Sequence, residues 1–462
     1  WYSPTYEPLR DNAARCLADF SLDGTATFRM EKGTLATELT VFVPPDDPVG
    51  IYLLTVSNRS DRPRRIRLAP YFQIVLADEP ENAGKLRIWG DGKTGAIFFE
   101  NPRNTFRTGP AFVAMTVPTG QIIMRRSCFF GRGNSVARPQ AVAQGYAADS
   151  DPTDRATVAA FLSILDIPPR ESRTIAVVLG QADNRAEAEA LVRRYGCVAA
   201  AQSAVTETRR RWNEFTGILR VETNRSSFDT YLPWLQYQTL TERILARKGF
   251  YQSSGAFGFR DQLQDAVNLI WVDPTLARRQ LLLHAGQQFL EGDVAHWFFL
   301  QTNGQTGLIN RSHASDNLLW LVWGVLEYVR MTGDHSLLEE KASYLRAQTP
   351  LIQLPKGRHG MVGYAHRTTH VETMYHHCMR ALDWVIFRKM GRHGLPLMGT
   401  GDWNDGLDAI GSKGRGESVW VGLFLYRVLG DFLPIIESHD GKRRLAVYRA
   451  RHEKLGQTIE KM

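Results

Sequence analysis

Between His393 and Asp408 the chain reads HGLPLMGTGDWNDGLD, which gathers the carboxylates of Asp402, Asp405 and Asp408, the amide of Asn404 and the indole of Trp403 in one glycine-rich stretch. Each of these residue types has a use at a carbohydrate. Glycine lets a backbone approach a ligand closely, an indole offers a flat apolar face to a sugar ring, and a carboxyl beside such a face can keep its proton and act as a general acid. The same residues are turn formers, so the stretch alone fits an Asx-rich turn with a buried tryptophan as well.

Three further clusters bear on the choice. Tyr251 to Asp265 reads YQSSGAFGFRDQLQD, in which small residues lead into a helix start crowded with Arg260, Asp261, Gln264 and Asp265. The i, i+4 spacing of Asp261 and Asp265 puts both on one helical face, where they suit bidentate bonds to sugar hydroxyls or the fixing of the neighbouring guanidinium. N-capping with a structural Arg/Asp pair is the competing use. Between Gly292 and Trp320, His296 and Trp297 are candidates to line a cleft, while Ser315 and Asp316 read first as helix N-cap residues. Glu417, in Gly414 to Trp420, suits either the cleft or the first turn of a helix.

These clusters need a scaffold, and the chain shows two kinds of periodicity. At 462 residues and 43% hydrophobic it is too long for one ordinary core, so two or three domains are expected. Up to about Leu179 apolar residues alternate in short runs such as Leu39 to Val43, Ile51 to Val56, Ile66 to Phe72, Ala111 to Met115 and Thr174 to Leu179. Pro/Asp and Ser/Asn turn clusters divide them, the pattern of an antiparallel β-sandwich, predicted over 1–182. Ala186 to Arg211 has helical spacing and predicts a helical linker over 183–215. Beyond it, helices are predicted at 226–247, 261–290, 314–332, 335–348, 369–390, 416–436 and 438–461, as in an α/α toroid over 216–462 whose loops converge on a cleft. A closed toroid of six helical hairpins needs more helices than these, so the barrel is expected to be C-terminally incomplete. The fold class is therefore multidomain β plus α.

Composition excludes several functions. The 56 Lys+Arg and 48 Asp+Glu give a net charge of +8, but the basic residues are scattered or in short groups such as Arg62 to Arg67. No nucleic acid is expected as a partner, and a mildly basic surface suits an anionic small substrate. Cys16, Cys128, Cys197 and Cys378 are widely spaced without a CxxC pair, which speaks against a metal cluster or disulfide framework and for a reducing compartment. No signal peptide and no apolar run of membrane-spanning length is visible, so no direct membrane contact is expected. Because the first residue is Trp1, targeting information is expected to lie outside this segment.

Together these segments resemble the inverting sugar phosphorylases of the cellobiose phosphorylase family, which includes the phosphorylase-like module of cyclic β-1,2-glucan synthases. The resemblance runs from Trp1-Tyr2-Ser3-Pro4-Thr5 to Gly416-Glu417-Ser418-Val419-Trp420, and its most specific motifs are Gly258-Phe259-Arg260-Asp261-Gln262-Leu263-Gln264-Asp265 and Gly401-Asp402-Trp403-Asn404-Asp405-Gly406. The Tyr251 to Ala256 lead-in looks more like the β-1,2-glucan side, since cellobiose phosphorylases place an arginine where this chain has Gly255.

The resemblance implies an N-terminal β-sandwich, a helical linker and an (α/α)6 catalytic barrel. It makes Asp405 the general acid, with Trp403 and Asp261 holding the donor-side sugar and Arg260 beside them. Asp265, Gln264, His296, Trp297 and Glu417 are the further substrate-binding candidates. The implied reaction is that of a hexosyltransferase: Asp405 protonates the glycosidic oxygen while inorganic phosphate, the co-substrate, attacks the anomeric carbon from the opposite face. One acid suffices because phosphate is already an anionic nucleophile, whereas an inverting hydrolase needs a second carboxylate to activate water. No metal or organic cofactor is implied. The expected partners are a β-gluco-oligosaccharide and phosphate, in a homodimer or as part of a larger glucan synthase, in the cytoplasm or on the cytoplasmic side of a membrane protein.

Three departures qualify this expectation. Asn303 to Arg311 replaces a glycine- and arginine-rich loop, Gly255 argues against cellobiose as substrate, and the chain ends at Met462, before barrel helices that carry acceptor and phosphate ligands in the family. Activity is expected to depend on that missing region. Two other readings stay open: an inverting α/α-toroid hydrolase with Asp405 as acid and another carboxylate as base, and a non-catalytic glucan-binding module of a synthase.

Overall fold

Alternating apolar residues build the N-terminal half into antiparallel sheet, and short turns, such as the two residues Gly33 and Thr34 between Lys32 and Leu35, set its register. The computed structural model describes residues 1–77, 86–104, 107–151, 153–154, 156–245, 255–300, 306–354 and 360–461. It divides into two units, Trp1–Ile218 and Leu219–Met462.

The first unit contains strands β1 (Arg15–Phe20), β2 (Thr25–Lys32), β3 (Leu35–Phe42), β4 (Val49–Asn58), β5 (Arg64–Leu68), β6 (Tyr71–Gln73), β7 (Arg87–Gly90), β8 (Ile97–Glu100), β9 (Ala111–Met115), β10 (Gln121–Arg125), β11 (Thr157–Ile167) and β12 (Ser172–Gln181). One sheet runs β1-β2-β3-β4-β12-β9-β8-β7; the other runs β10-β11-β5, with β6 also paired to β11. In β9 the alternation can be followed residue by residue. Val113 and Met115 pack with Phe99 and Val177 against Ala159 and Phe161 of the second sheet. Phe112 and Ala114 face the other way, towards helices α3 (Arg185–Arg194) and α4 (Val198–Gly217), where Leu191, Val192, Ala201 and Val205 cover the sheet. Two short helices, α1 (Arg126–Phe130) and α2 (Gln140–Gln144), close the outer face of the second sheet over Ile123, Val158 and Ala160. The single connecting helix expected between Ala186 and Arg211 is thus two helices, divided at Tyr195 to Cys197 and packed on the sandwich.

The second unit is helical around α8 (Asn317–Thr332), whose Leu318, Leu319, Leu321, Val322 and Val325 are all buried. Around it lie α6 (Phe259–Asn268), α7 (Pro274–Ala285), α9 (Met374–Arg388) and α10 (Val419–Glu460), which bends at Gly441 (φ 77°). Helix α5 (Ser226–Gln238) continues into a π-helical turn at Thr239–Leu245.

Several predicted helices change here. The helix expected at 261–290 is α6 plus α7, because Asp273 caps the backbone N–H of Leu276 at 2.9 Å and Pro274 opens a new first turn. The helix expected at 335–348 is a 3₁₀ turn, His335–Glu339, followed by strand, and the one expected at 369–390 begins as strand as far as Thr373. These strands belong to an unexpected five-stranded sheet: β13 (Phe257–Gly258), β14 (Ala295–Leu300), β15 (Thr306–Arg311), β16 (Lys341–Ala347) and β17 (Met361–Thr373), in the order β13-β14-β15-β17-β16. A register shift between Ser343 and Leu345 buries Tyr344 and Leu345 side by side, which a regular strand does not do and which mimics a helical pattern. The expectation of no membrane-length apolar run also meets an exception, since one window inside Val419–Glu460 has the length and composition of a span. Its Val421, Leu425, Val428, Leu429, Phe432 and Ile436 sit in the core of the unit, the arrangement of a core helix.

His284 of α7 shows what this core does to an ionisable group. It is fully buried, edge-on to the rings of Phe259 and Phe298, with Nδ1 on the carbonyl of Gln280 at 2.7 Å and Nε2 without a partner among the described residues. Burial pushes its pKa down to about 4. The unfolded chain takes up this proton near pH 6.5, so the stability is fully present above that pH and is lost as pH falls towards 4. Over this window the expected loss is about 3 kcal/mol, and His284→Gln should flatten the corresponding fall in Tm measured against pH.

Candidate active site

Helix α6 starts where the sheet delivers it, because β13 pairs with β14 up to Gly258, opposite Trp297. A Cβ at Gly258 would stand 2.1 Å from Asp261 Oδ2, so only glycine lets that carboxylate fold back on the helix start. Arg260, next in line, is 6% exposed. Its Nη1 donates to Asp316 Oδ1 and Oδ2 (3.0 and 3.1 Å) and to the Asp402 carbonyl (2.7 Å), and its Nη2 donates to Asp405 Oδ1 at 2.5 Å. Burial opposes the guanidinium charge, but Asp316 and Asp405 outweigh it and hold the Arg260 pKa above its ordinary value.

The glycine-rich loop is folded by close backbone contacts. Gly399 (φ 63°) lies so near His313 that a Cβ would stand 1.8 Å from the carbonyl oxygen. The N–H and Oγ of Ser315 both donate to the Gly401 carbonyl, at 3.0 and 3.1 Å. Asp402 is buried: Oδ1 accepts from the Asn404 N–H (2.9 Å) and Oδ2 from Ser418 Oγ (2.8 Å), the same hydroxyl that caps α10. Asn404 caps the N–H of Gly406 at 3.0 Å and opens a short 3₁₀ turn at Asp405–Leu407. Asp402 and Asn404 therefore fix the loop, and Trp403 and Asp405 are presented, with Trp403 52% exposed and the Asp405 side chain 68% exposed.

His296 of β14 completes the cluster, with Nε2 4.0 Å from Asp405 Oδ1. Asn317 Nδ2 lies 2.9 Å from His296 Nδ1 and holds the ring with Nε2 towards Asp405. Burial lowers the pKa of His296, with Asp405 acting in the opposite direction, and favours the neutral ring. Asp261 acts on the charges of both Arg260 and His296.

The other sequence candidates are engaged elsewhere. Gln264 Nε2 donates to the Arg260 carbonyl at 3.2 Å. Asp265 pairs with Arg243 of the π-helical turn at 2.5 Å, and burial, opposed by Arg243, raises its pKa to about 6. Trp297 packs edge-on to Phe299 at 5.8 Å. Glu417 is neither in the cluster nor in a helix first turn; its oxygens accept from the N–H groups of His393 and Leu395 (3.1 Å each) and from His393 Nδ1 (3.0 Å). Asp316 and Asn317 are the residues that sequence reasoning did not place in the site. The expected lead-in at Tyr251 to Ser254 and the loop at Asn303 to Gln305 lie outside the described residues. A cavity of about 140 Å³ lined by Asp293, Ser312, Asn317 and Trp384 adjoins the cluster behind Asn317, while Asp405 faces open solvent. Among the described residues, no group of three or more His, Cys, Asp or Glu is arranged to hold a metal ion.

The supersandwich domain of glycosyl hydrolase 94 matches residues 1–197, and the catalytic domain of the glycosyl hydrolase 94 superfamily matches 211–352 and 358–462. The cyclic beta-(1,2)-glucan synthase NdvB of Rhizobium meliloti is 34% identical, over 89% of this chain and 14% of that protein. The 3-O-beta-D-glucopyranosyl-beta-D-glucuronide phosphorylase of Paenibacillus borealis is 25% identical over 94% of this chain and 54% of its own length. The 1,2-beta-oligoglucan phosphorylase of Listeria innocua is 23% identical over 45% of this chain and 18% of its own length. The chain thus spans about half, or less, of these relatives. A bacterial glucoamylase structure shares the fold at 9% identity, with a TM-score of 0.53 over 96% of this chain and 58% of that one. An antiparallel β-sandwich followed by a helical domain of the (α/α)6 type is the architecture common to them.

Proposed function

Because the chain belongs to the glycosyl hydrolase 94 family, we propose that it carries the acid and donor-sugar side of a reversible, inverting phosphorolysis of β-linked gluco-oligosaccharides. The observation that carries this reading is the Asp405 carboxyl, exposed beside Trp403 on a loop hydrogen-bonded through Asp402 and Asn404, and held by Arg260. Asp405 gives its proton to the glycosidic oxygen as the bond to the anomeric carbon breaks, and the shortened acceptor leaves with that proton. Phosphate forms the new bond from the opposite face, which makes the product α-glucose 1-phosphate. Trp403 supplies the face for the donor sugar, and Asp261 its hydroxyl acceptors. Inorganic phosphate is the co-substrate, and no metal takes part.

The names of six curated relatives, all phosphorylases, favour phosphate over water as nucleophile. Asp316 and Asp402 are buried and engaged by Arg260, Trp320, Asn404 and Ser418, which removes these two neighbouring carboxylates as bases for water. The β-1,2 linkage rests on the names of NdvB and the oligoglucan phosphorylase. Because the chain spans 14% of NdvB, a glucan-binding module within a synthase, on the cytoplasmic side of a membrane, is the second reading.

The test is to incubate this chain, and in parallel a longer polypeptide containing it, with β-1,2-gluco-oligosaccharides and phosphate. Release of α-glucose 1-phosphate supports the phosphorylase. Free glucose as the sole product would make it a hydrolase, and oligosaccharide binding by the longer polypeptide without either product would make it a binding module.

A further inference from the structure

A buried guanidinium needs a counter-charge at all times, since an unpaired charge in a dry site is costly. Arg260 obtains its counter-charge from two carboxylates in very different settings. Nη1 is bound by Asp316, which is 0% exposed, and by the Asp402 carbonyl; Nη2 is bound by Asp405, which faces solvent. Asp316 occupies the residue before α8, where a carboxylate ordinarily caps helix N–H groups, yet its side chain makes no cap bond. Its oxygens take Arg260 and, one turn on, the indole N–H of Trp320 at 2.9 Å.

This division matters for an acid, which must be uncharged before the reaction and charged after it. With Asp405 as the only counter-ion, each protonation would strand a buried cation. We propose that Asp316 is a positioning residue that supplies Arg260 with a second, buried counter-charge, so that Asp405 can change charge without stranding the guanidinium. The proposal rests on Asp405 being the acid. Among the described residues, the other charged or titratable groups around Asp405 are Asp261 on α6, His296 on β14, and Asp402 and Asp408 on its own loop. Asp402 is locked by Asn404 and Ser418, and burial favours the neutral ring of His296, so that among the described residues Asp316 is the buried carboxylate in contact with Arg260.

Asp316→Asn in the full chain keeps the shape and one acceptor oxygen, and it makes Asp405 the principal counter-ion. In the active polypeptide the alkaline limb of the phosphorolysis rate should then lie roughly one pH unit lower than in the wild type, with the rate on the acid side retained. An unmoved limb overturns the proposal. Should Asp316→Asn fail to fold, Arg260→Gln/Asp316→Asn leaves two amides and no stranded charge and should recover the fold, read as Tm; failure of the double variant to recover it would assign the loss to packing and overturn the proposal. If Asp405→Asn leaves glucose 1-phosphate release intact, the acid assignment fails wherever the limb lies; if release is lost and the limb of Asp316→Asn does not move, the role of Asp316 alone fails.

Discussion

Asp405→Asn should lower glucose 1-phosphate release from β-1,2-gluco-oligosaccharides by roughly a thousandfold, within the range that a positioned general acid contributes. The change is isosteric, on a side chain 68% exposed, and it keeps an oxygen for Arg260 Nη2. Arg260 retains Asp316 and the Asp402 carbonyl, so no buried charge is stranded and stability should change by less than about 1 kcal/mol. Loss of rate with an unchanged Tm therefore reports chemistry rather than folding. The leaving group provides an internal control: a p-nitrophenyl β-glucoside, whose phenolate departs with little protonation, should lose far less. Synthesis from α-glucose 1-phosphate should fall in parallel with phosphorolysis, because the same carboxyl must then remove the proton from the acceptor hydroxyl. A variant that retains wild-type release would remove Asp405 from the chemistry.

Which parts of this site were readable in the sequence follows from how local each interaction is. The strands of the sandwich declared themselves because alternation and Pro/Asp turns act over a few residues, as in β9, where Phe112 and Val113 take opposite faces. β16 did not, because it is strand only by pairing with β17, and its bulge buries Tyr344 beside Leu345. At the site, residue type marked Trp403, Asp405, Glu417 and Asp265 alike, and only the fold shows that the first two are presented to solvent while Glu417 binds its own loop and Asp265 binds Arg243. The meeting of Arg260 with Asp405, 145 residues apart, is wholly tertiary. Asp316 was concealed by its context, since Ser315-Asp316-Asn317 before an apolar helix reads as a cap, and only the fold turns its side chain onto Arg260.

Arg260→Leu should destabilise the second unit by about 3–5 kcal/mol, the cost of leaving a buried ion without its partner. Asp316, fully buried, would keep the indole N–H of Trp320 as its side-chain donor among the described residues, and the carbonyl of Asp402 would lose Arg260. The pH dependence identifies the cause. Burial already raises the pKa of Asp316 even with Arg260 opposing it, and removing the guanidinium lets it rise further. A carboxyl whose folded pKa lies above its unfolded value contributes no penalty below the unfolded value and an increasing one as pH rises through the folded value. The deficit relative to wild type should accordingly be small near pH 4 and full near pH 8, read as the difference in denaturant midpoints. A second change, Asp316→Asn in the Arg260→Leu background, should recover most of the loss at pH 8, since a neutral amide is far less costly to bury than a lone carboxylate. A deficit that is the same at both pH values and is not recovered would assign the cost to packing at the start of α6 and remove the electrostatic account. Activity should be lost in the single and the double variant alike, because in each Asp405 has lost the guanidinium that holds it in place.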